Sequence, residues 1–176
     1  LAELTSYLKK NPREVLTIIF ESYVRPKALE GAFRESGLLP YAHSQRKGKP
    51  WPRLAEMVAS GRRLVVFTDR GGGELPWLHR VWDFCWETHF SARRREDLAC
   101  AKNRGSSKNS LFIFNHFLTR PVASTKLADE VNHNPFLKKR VEECRKASGR
   151  LPHFITVDFY ERGDAIEVVD ELNGIR

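Results

Sequence analysis

Polar side chains follow apolar runs at several places in this chain, and these are the residues that could carry chemistry. The run Phe154–Val157 ends at Asp158, directly ahead of a predicted helix, and the run Val15–Phe20 ends at Glu21. A buried parallel strand delivers working residues at its carboxyl end. A carboxylate in that place can hold a hydrogen-bond partner or bind a cation.

Three further apolar runs end in polar groups of other kinds. The first leads to Arg70, the second to Glu87 and His89, and the third to Asn115 and His116. A guanidinium suits the paired oxygens of a phosphate, and a histidine is the side chain that titrates near neutral pH. The pattern predicts that several strands lift polar groups to one shared rim.

Each of these residues also has a structural interpretation, which the sequence leaves open. Asp158 could cap the following helix or turn the chain, and Glu21 could be a surface carboxylate or an ion-pair partner. His89 and His116 could be structural histidines, since a hydrogen-bonded core histidine is the commoner outcome.

Strands and helices alternate along the chain. The predicted strands are 15–20, 64–67, 81–86, 111–114 and 154–158, and the predicted helices cover the first ten residues, 26–36, 51–60, 124–147 with an interruption, and 164–173. A polar, basic segment is predicted between residues 91 and 110. This alternation is typical of an α/β protein with a parallel sheet, either open or closed into a barrel.

The composition limits the classes of protein and partner. The chain has 176 residues, 41% of them hydrophobic, so we predict one domain over 1–176 with a sizeable core. The formal net charge of +8 favours anionic partners such as phospholipid head groups, phosphorylated small molecules or nucleic acid, although a basic surface without a specific partner fits equally well. Nucleic acid ranks last, because the strands look buried on both sides.

The three cysteines, Cys85, Cys100 and Cys144, lack the paired spacing of a thiolate metal site. A disulfide between Cys100 and Cys144 fits an oxidising compartment. Buried free thiols are the alternative.

Six segments together resemble the phosphatidylinositol-specific phospholipase C X-domain family of phospholipase-C-like phosphodiesterases. The resemblance covers nearly the whole chain and rests on the order and spacing of the segments. They are 11–15 (NPREV), 51–52 (WP), 64–67 (LVVF), 86–88 (WET), 115–117 (NHF) and 157–160 (VDFY) with 163–164 (GD).

The resemblance implies a distorted TIM barrel and a phosphoric diester hydrolase that cleaves phosphatidylinositol or a related phospholipid. Its two catalytic histidines, a general base and a general acid, lie early in the barrel. The chain corresponds to about the last five strand-helix units, a partial barrel, so the N-terminal strands and both histidines are expected upstream. A closed eight-stranded barrel usually takes about 250 residues, which agrees with that placement.

The resemblance also implies roles for the rim residues. Asp158 would contact the base histidine, Arg70 would contact the substrate phosphate or inositol, and Glu87 and His89 would contact inositol. Glu21 stands where calcium-dependent members have a metal ligand, which leaves Ca²⁺ open as a cofactor, with its other ligands upstream.

A catalytically inactive module that binds anionic lipid or phosphorylated ligands is the alternative function. The expected partners are a phospholipid or phosphodiester substrate, a transiently bound membrane surface and the missing N-terminal barrel segment, with no nucleic acid. The expected location is extracellular or membrane-associated.

Overall fold

The computed structural model describes residues 1–21 and 23–175. The chain divides into two compact units, Leu1–Phe84 and Cys85–Arg176. Both combine helices with sheets, as the alternating pattern predicts. The described residues do not form a closed barrel.

The first unit holds a sheet of three parallel strands in the order β1-β2-β3. Its elements are α1 (Ala2–Lys10), β1 (Leu16–Phe20), α2 (Pro26–Glu35), a 3₁₀ turn (Leu39–Tyr41), α3 (Leu54–Ser60), β2 (Leu64–Thr68), β3 (Leu78–Arg80) and α4 (Val81–Phe84).

The side chains on one face of this sheet pack against buried residues of α1 and α2. Leu64 and Val66 of β2 form a buried cluster with Leu8 of α1 and Phe33 of α2. The strand β2 is buried throughout, whereas β1, at the edge of the sheet, alternates between half-buried and exposed residues, with Ile19 44% exposed. The edge of this unit is therefore less covered than its centre.

Arg63, just before β2, fixes the end of α1 relative to the sheet. Its guanidinium is buried and donates hydrogen bonds to the carbonyl oxygens of Leu8, Asn11 and Glu14, at 2.6, 2.9 and 3.0 Å. The last carbonyls of a helix have no partner within the helix. A cation near them also interacts favourably with the negative end of the helix dipole. One side chain thus ties the α1–β1 connection to the start of β2.

The second unit holds a four-stranded sheet in the order β5-β4-β6-β7. Strands β4, β6 and β7 are parallel, and β5 pairs with β4 in the antiparallel direction. Its elements are β4 (Cys85–Thr88), a 3₁₀ turn (Arg95–Asp97), β5 (Lys102–Gly105), β6 (Leu111–Asn115), α5 (Thr125–Val131), α6 (Phe136–Ser148), β7 (Phe154–Thr156) and α7 (Ala165–Leu172).

The two faces of this sheet differ in what they carry. Trp86 of β4 stacks on Phe112 of β6, with ring centroids 3.9 Å apart, and both pack in a core cluster with Val141 of α6. Because side chains alternate along a strand, Glu87 and Asn115 lie on the opposite face. The helices therefore cover the face that carries Trp86 and Phe112, and Glu87 and Asn115 belong to the other face, together with the buried Ile113.

Two predicted elements are corrected by the structure. The predicted strand 81–86 begins as the short helix α4, in which Val81 and Phe84 are both buried, a spacing of three that suits one helical face; β4 begins only at Cys85. The predicted polar segment 91–110 contains β5, whose backbone pairs with the edge of β4 although its side chains are largely exposed. The sheet is consequently not purely parallel.

Cys100 and Cys144 form a disulfide, the first of the two alternatives that the sequence left open. Cys85 is free and buried, and its burial raises the pKa of its thiol to about 12. That thiol is therefore protonated and unreactive at neutral pH.

No helix in the described part of the chain is long and apolar enough to span a bilayer.

Candidate functional site

Glu87, near the carboxyl end of β4, is the centre of a polar cluster on the face of the second sheet opposite the helices. It is 3% exposed, and its carboxylate accepts hydrogen bonds from three side chains. Asn115 Nδ2 donates to Oε2 at 2.9 Å, while Asn103 Nδ2 and Arg104 Nε donate to Oε1 at 3.0 and 2.5 Å. A buried carboxylate is tolerated only when it is paired and hydrogen-bonded in this way.

A bulge in β5 explains how two neighbouring residues reach the same carboxylate. Trp86 of β4 pairs with Gly105, and Thr88 pairs with Lys102, so two steps along β4 correspond to three along β5. Two residues of a bulged strand oppose one on the partner strand. The residues between Lys102 and Gly105 therefore both oppose Glu87.

Gly105 makes the bulge possible. Its φ is +76°, and a Cβ at this position would lie 2.2 Å from the carbonyl oxygen of Cys85. Only glycine avoids both the left-handed strain and the collision. The close approach of the two backbones thus depends on the absence of a side chain here.

Asn115 connects Glu87 to the end of the strand. Its Nδ2 donates to the Thr88 carbonyl at 2.8 Å as well as to Glu87, and its backbone N–H donates to Thr88 Oγ1 at 3.0 Å. The structure thus brings Glu87 and Asn115, two of the predicted site residues, into direct contact.

An exposed aromatic ring follows this cluster. Phe90 stacks against His89, with ring centroids 5.6 Å apart and 14° between the planes, and the Arg104 guanidinium carbon lies 4.5 Å from the Phe90 centroid. His89 is exposed, and its Nδ1 accepts a hydrogen bond from the Ser91 N–H at 3.0 Å. The neutral ring then carries its proton on Nε2.

His116 lies one residue beyond β6 but is fully buried. Its Nε2 donates to the Val131 carbonyl at 2.9 Å, so its Nδ1 accepts from Arg140 Nη1 at 3.0 Å. Both ring nitrogens are engaged by protein groups, which favours the structural interpretation of His116. Its role as a substrate contact stays a prediction.

Arg140 of α6 is a buried cation that holds several chain segments together. Its Nη1 also donates to the Asn115 carbonyl at 2.8 Å, and Nε and Nη2 donate to the carbonyls of Leu98 and Ala99 at 2.9 and 3.2 Å. Burial lowers its pKa to about 10, so the guanidinium stays charged at neutral pH. It connects the end of β6 to the segment that leads into β5.

The burial of His116 predicts a pH dependence of stability. Burial is the largest cause that lowers its pKa, from 6.5 to about 4, and the Arg140 charge acts in the same direction. The unfolded chain therefore binds the extra proton first as the pH falls. We expect the contribution of His116 to the free energy of unfolding to be complete above pH 6.5 and to decrease by about 3 kcal/mol as the pH falls to about 4.

Urea unfolding at pH 7 and pH 4.5 measures this dependence. His116→Gln should flatten the slope, whereas His153→Gln, which alters a less buried histidine, should change it less. Equal slopes for the wild-type protein and His116→Gln would mean that this histidine does not link protonation to folding.

Asp158 lies two residues beyond β7, at the same edge of the sheet as Asn115, which pairs with Thr156. Partial burial raises the pKa of its carboxyl group. The next residue, Phe159, has a φ of +49°, a conformation that is strained for a residue with a side chain. The backbone at Asp158 therefore turns sharply as the strand ends.

Asn132, at the C-terminus of α5, holds this turn. Its buried side chain donates from Nδ2 to the Asp158 carbonyl at 2.9 Å, and its own carbonyl accepts from the Asp164 N–H at 2.9 Å. Arg162 adds a pair of hydrogen bonds to the Asp129 carboxylate of α5, at 2.7 and 2.6 Å. The loop that carries Asp158 is thus held at several points.

Gly163 packs directly on Asn132, and we expect Gly163→Ala to destabilise the protein by more than 2 kcal/mol. Its φ is +89°, and a Cβ would lie 2.4 Å from the Asn132 carbonyl oxygen. Gly149→Ala is the matched control, because Gly149 has a φ of +73° with nothing within 4 Å. Gly149→Ala should lower the free energy of unfolding by only about 1–2 kcal/mol, the cost of the left-handed conformation.

Urea unfolding compares the two variants, and hydrogen exchange of residues 158–164 locates the effect. Equal losses of stability would show that the close approach to Asn132 is unimportant.

Two predicted site residues lie in the first unit. Glu21 is exposed and follows β1, and Arg70 is exposed and follows β2. The Arg70 guanidinium lies 4.2 Å from the centroid of the Tyr23 ring, and its Nη2 donates to the Tyr23 hydroxyl at 3.2 Å. Because β1 and β2 are parallel neighbours, Glu21 and Arg70 follow the same edge of the first sheet.

The donor set of the described residues does not fit a Ca²⁺ site. Ca²⁺ takes about six to eight oxygen ligands, and no group of three or more histidine, cysteine or acidic side chains suited to a metal occurs within residues 1–21 and 23–175. Glu21 is a single exposed carboxylate. No chemical step is therefore assigned to a metal.

Three residues of this site escape prediction from the sequence. Asn103 and Arg104 stand in a basic, polar stretch that resembles a loop, and only the bulge aims both at Glu87. Asn132 precedes the pair Asn134-Pro135, a sign that a helix ends, but nothing in the sequence links it to Asp158, 26 residues later.

Comparison with known proteins assigns the chain to a family. The family described as PI-PLC X 1 matches residues 1–173. The chain is 33% identical over 189 residues to a PI-PLC X domain-containing protein of Arabidopsis thaliana. It is 25% identical over 205 residues to an uncharacterized secreted protein, and 24% identical over 194 residues to PI-PLC X domain-containing protein 1, both of Arthroderma benhamiae.

In each comparison 99% of this chain is covered, and it spans 44%, 46% and 64% of these relatives' own lengths. No solved structure matches the chain significantly.

Proposed function

Since the chain belongs to the PI-PLC X-domain family, we propose that it is part of a phospholipase-C-like phosphodiesterase that cleaves phosphatidylinositol or a related phospholipid. The observation that carries the proposal is the carboxyl edge of the second sheet. There Glu87 contacts Asn115, and the half-buried Asp158 follows the neighbouring strand β7. The three residues lie at the carboxyl ends of the parallel strands β4, β6 and β7. Ligands of α/β sheets bind at this edge.

The proposed reaction is general acid–base catalysis. A base histidine takes the proton of the inositol hydroxyl next to the phosphate, and the hydroxyl oxygen attacks phosphorus. The bond to the diacylglycerol oxygen breaks, and an acid histidine protonates that oxygen, which leaves a cyclic inositol phosphate. Asp158 would accept a hydrogen bond from the base histidine, fix its tautomer and stabilise its charged form.

Both catalytic histidines are proposed to come from outside these 176 residues. The two buried histidines, His79 and His116, each have both ring nitrogens engaged, His79 by the Val66 carbonyl and the Gln45 N–H. Relatives that extend well beyond the matched region leave room for such a segment. The half-exposed edge strand β1 is the place where we expect it to join, so that the described strands form part of a distorted barrel.

The remaining rim residues are proposed as substrate contacts. Arg70 would bind the phosphate or inositol. Glu87 and Asn115, whose two amide protons already bond to Glu87 and Thr88, would accept hydrogen bonds from inositol hydroxyls. His89 would line the carboxyl edge of the second sheet. His116 would support the site from behind the sheet. The substrate implies a transient membrane surface, and the disulfide supports an extracellular or membrane-associated location.

Incubating the natural full-length protein with phosphatidylinositol vesicles tests the proposal. We expect release of diacylglycerol and inositol phosphate, and little release from phosphatidylcholine vesicles. A parallel incubation with a chelator determines whether Ca²⁺ is required. Vesicle binding without any cleavage would overturn the enzyme and support the alternative, an inactive module that binds anionic lipid.

A further inference from the structure

Arg104, which neutralises the buried Glu87 in the polar cluster, is itself far more exposed than its partner. The Glu87 side chain is 4% exposed, whereas the Arg104 side chain that pairs with it is 44% exposed. A buried carboxylate loses its hydration and needs a charged or hydrogen-bonding partner. Here the carboxylate is buried, whereas the arginine that neutralises it keeps nearly half of its side-chain surface exposed.

The guanidinium is nevertheless held in one orientation by contacts on two sides. Its Nε donates to Glu87 Oε1, and its carbon lies over the exposed Phe90 ring at 4.5 Å. A carboxylate anchor and an aromatic platform are the contacts that restrict the rotamers of an otherwise flexible arginine. A group that is ordered before its ligand arrives loses less conformational entropy on binding.

The backbone reinforces this arrangement. The bulge that aims Arg104 at Glu87 requires Gly105, and Asn103 occupies the same carboxylate oxygen from the neighbouring position. Bulges often re-aim a side chain next to a functional site. The exposed, ordered cation is therefore built into the sheet.

We propose that Arg104 is a ligand-binding residue that contacts a phosphate or phosphodiester group at this edge of the second sheet. A planar guanidinium with one edge anchored on a carboxylate matches two oxygens of such a group. Glu87 acts as its positioning residue. The inference concerns the site of the proposed function, but binding needs no turnover.

Titration of the full-length protein with inorganic phosphate, followed by NMR of the residue 102–105 amides, tests the assignment. We expect Arg104→Gln to weaken phosphate binding about tenfold or more, since hydrogen bonds to charged groups are the strong ones. Arg104→Lys should recover part of it. Arg93→Gln, which removes the same charge from an exposed position of the same unit, should have a much smaller effect.

Glu87→Gln separates ligand binding from a purely structural role. In Glu87→Gln the amide oxygen can still accept the Arg104 Nε hydrogen bond, so the guanidinium stays positioned while a negative charge beside the ligand is removed. If Arg104 binds the anion, phosphate affinity is then unchanged or higher, and the double variant Glu87→Gln/Arg104→Gln remains weak. If Arg104 only neutralises Glu87, the double variant binds as the wild type does, and the proposal is wrong. Equal losses in Arg104→Gln and Arg93→Gln would also overturn it, because they indicate a general charge effect.

Vesicles of phosphatidylcholine with and without phosphatidylinositol distinguish the source of the phosphate group. Arg104-dependent binding to the phosphatidylinositol vesicles indicates a lipid head group, and a response to inorganic phosphate alone indicates a free phosphate. An active enzyme whose phosphate affinity is insensitive to Arg104→Gln would contradict this inference alone. An inactive protein that loses phosphate binding in Arg104→Gln would contradict only the proposed reaction.

Discussion

Asp158→Asn in the full-length protein is expected to lower kcat for phosphatidylinositol cleavage by about 10²- to 10⁴-fold, with little change in KM. The substitution keeps the size of the side chain but removes the charge that would stabilise a protonated base histidine. Losses of this order follow when a base histidine loses its orienting carboxylate or when a general base is removed.

The local structure makes this substitution a clean test. The Asp158 side chain is partly buried, with the raised pKa described above, so the neutral amide avoids a desolvation cost that the carboxylate has. The hydrogen bond that Asn132 donates goes to the Asp158 backbone carbonyl and is retained. We therefore expect Asp158→Asn to be as stable as the wild type or more stable.

Glu161→Gln is the matched control, because it neutralises an exposed carboxylate three residues later in the same loop. Its kcat should stay within about twofold of the wild type, as expected of a surface substitution. An Asp158→Asn enzyme that is equally active would remove Asp158 from the catalytic machinery and favour its structural interpretation as a residue of the turn that follows β7.

Reduction of the Cys100–Cys144 disulfide is expected to lower the free energy of unfolding by about 4 kcal/mol. The bridge closes a loop with a sequence separation of 44, and the entropy of closing such a loop in the unfolded chain gives that magnitude. For a chain of this size the corresponding fall in Tm is about 10 °C.

The reduced protein should still fold, because a second link joins the same segments. Arg140, one helical turn before Cys144 on α6, holds the carbonyls of Leu98 and Ala99 next to Cys100. Residues four apart share a helix face. The disulfide and the arginine thus secure one connection, the segment that leads into β5 and Arg104.

Thermal unfolding with and without a reductant measures the effect. The double variant Cys100→Ala/Cys144→Ala should start at the lower Tm and not respond to reductant, whereas Cys85→Ala, which keeps the Cys100–Cys144 bridge, should respond as the wild type does. A wild-type Tm that is insensitive to reductant would mean that the bridge adds no stability, and it would weaken the argument for an oxidising compartment.

The sequence by itself determined the elements that are buried and continuous. The runs at β2 and β6 are apolar throughout and were predicted as strands within a residue of their bounds, because a strand that is covered on both faces must be apolar at every position. The family also follows from the sequence. No single short motif is specific, but the order and spacing of the six segments together identify it. The carboxyl ends of these strands predicted where polar residues would gather.

Only the tertiary structure decided which of those residues meet. β5 is invisible in the sequence because its side chains are polar and its stability comes from backbone pairing with β4, yet its bulge sets Asn103 and Arg104 against Glu87. His116 and Asn115 are neighbours in the chain, but the alternation of the strand end sends one into the helices and the other to Glu87. Such choices depend on register and close approach between distant segments, which local residue patterns do not encode.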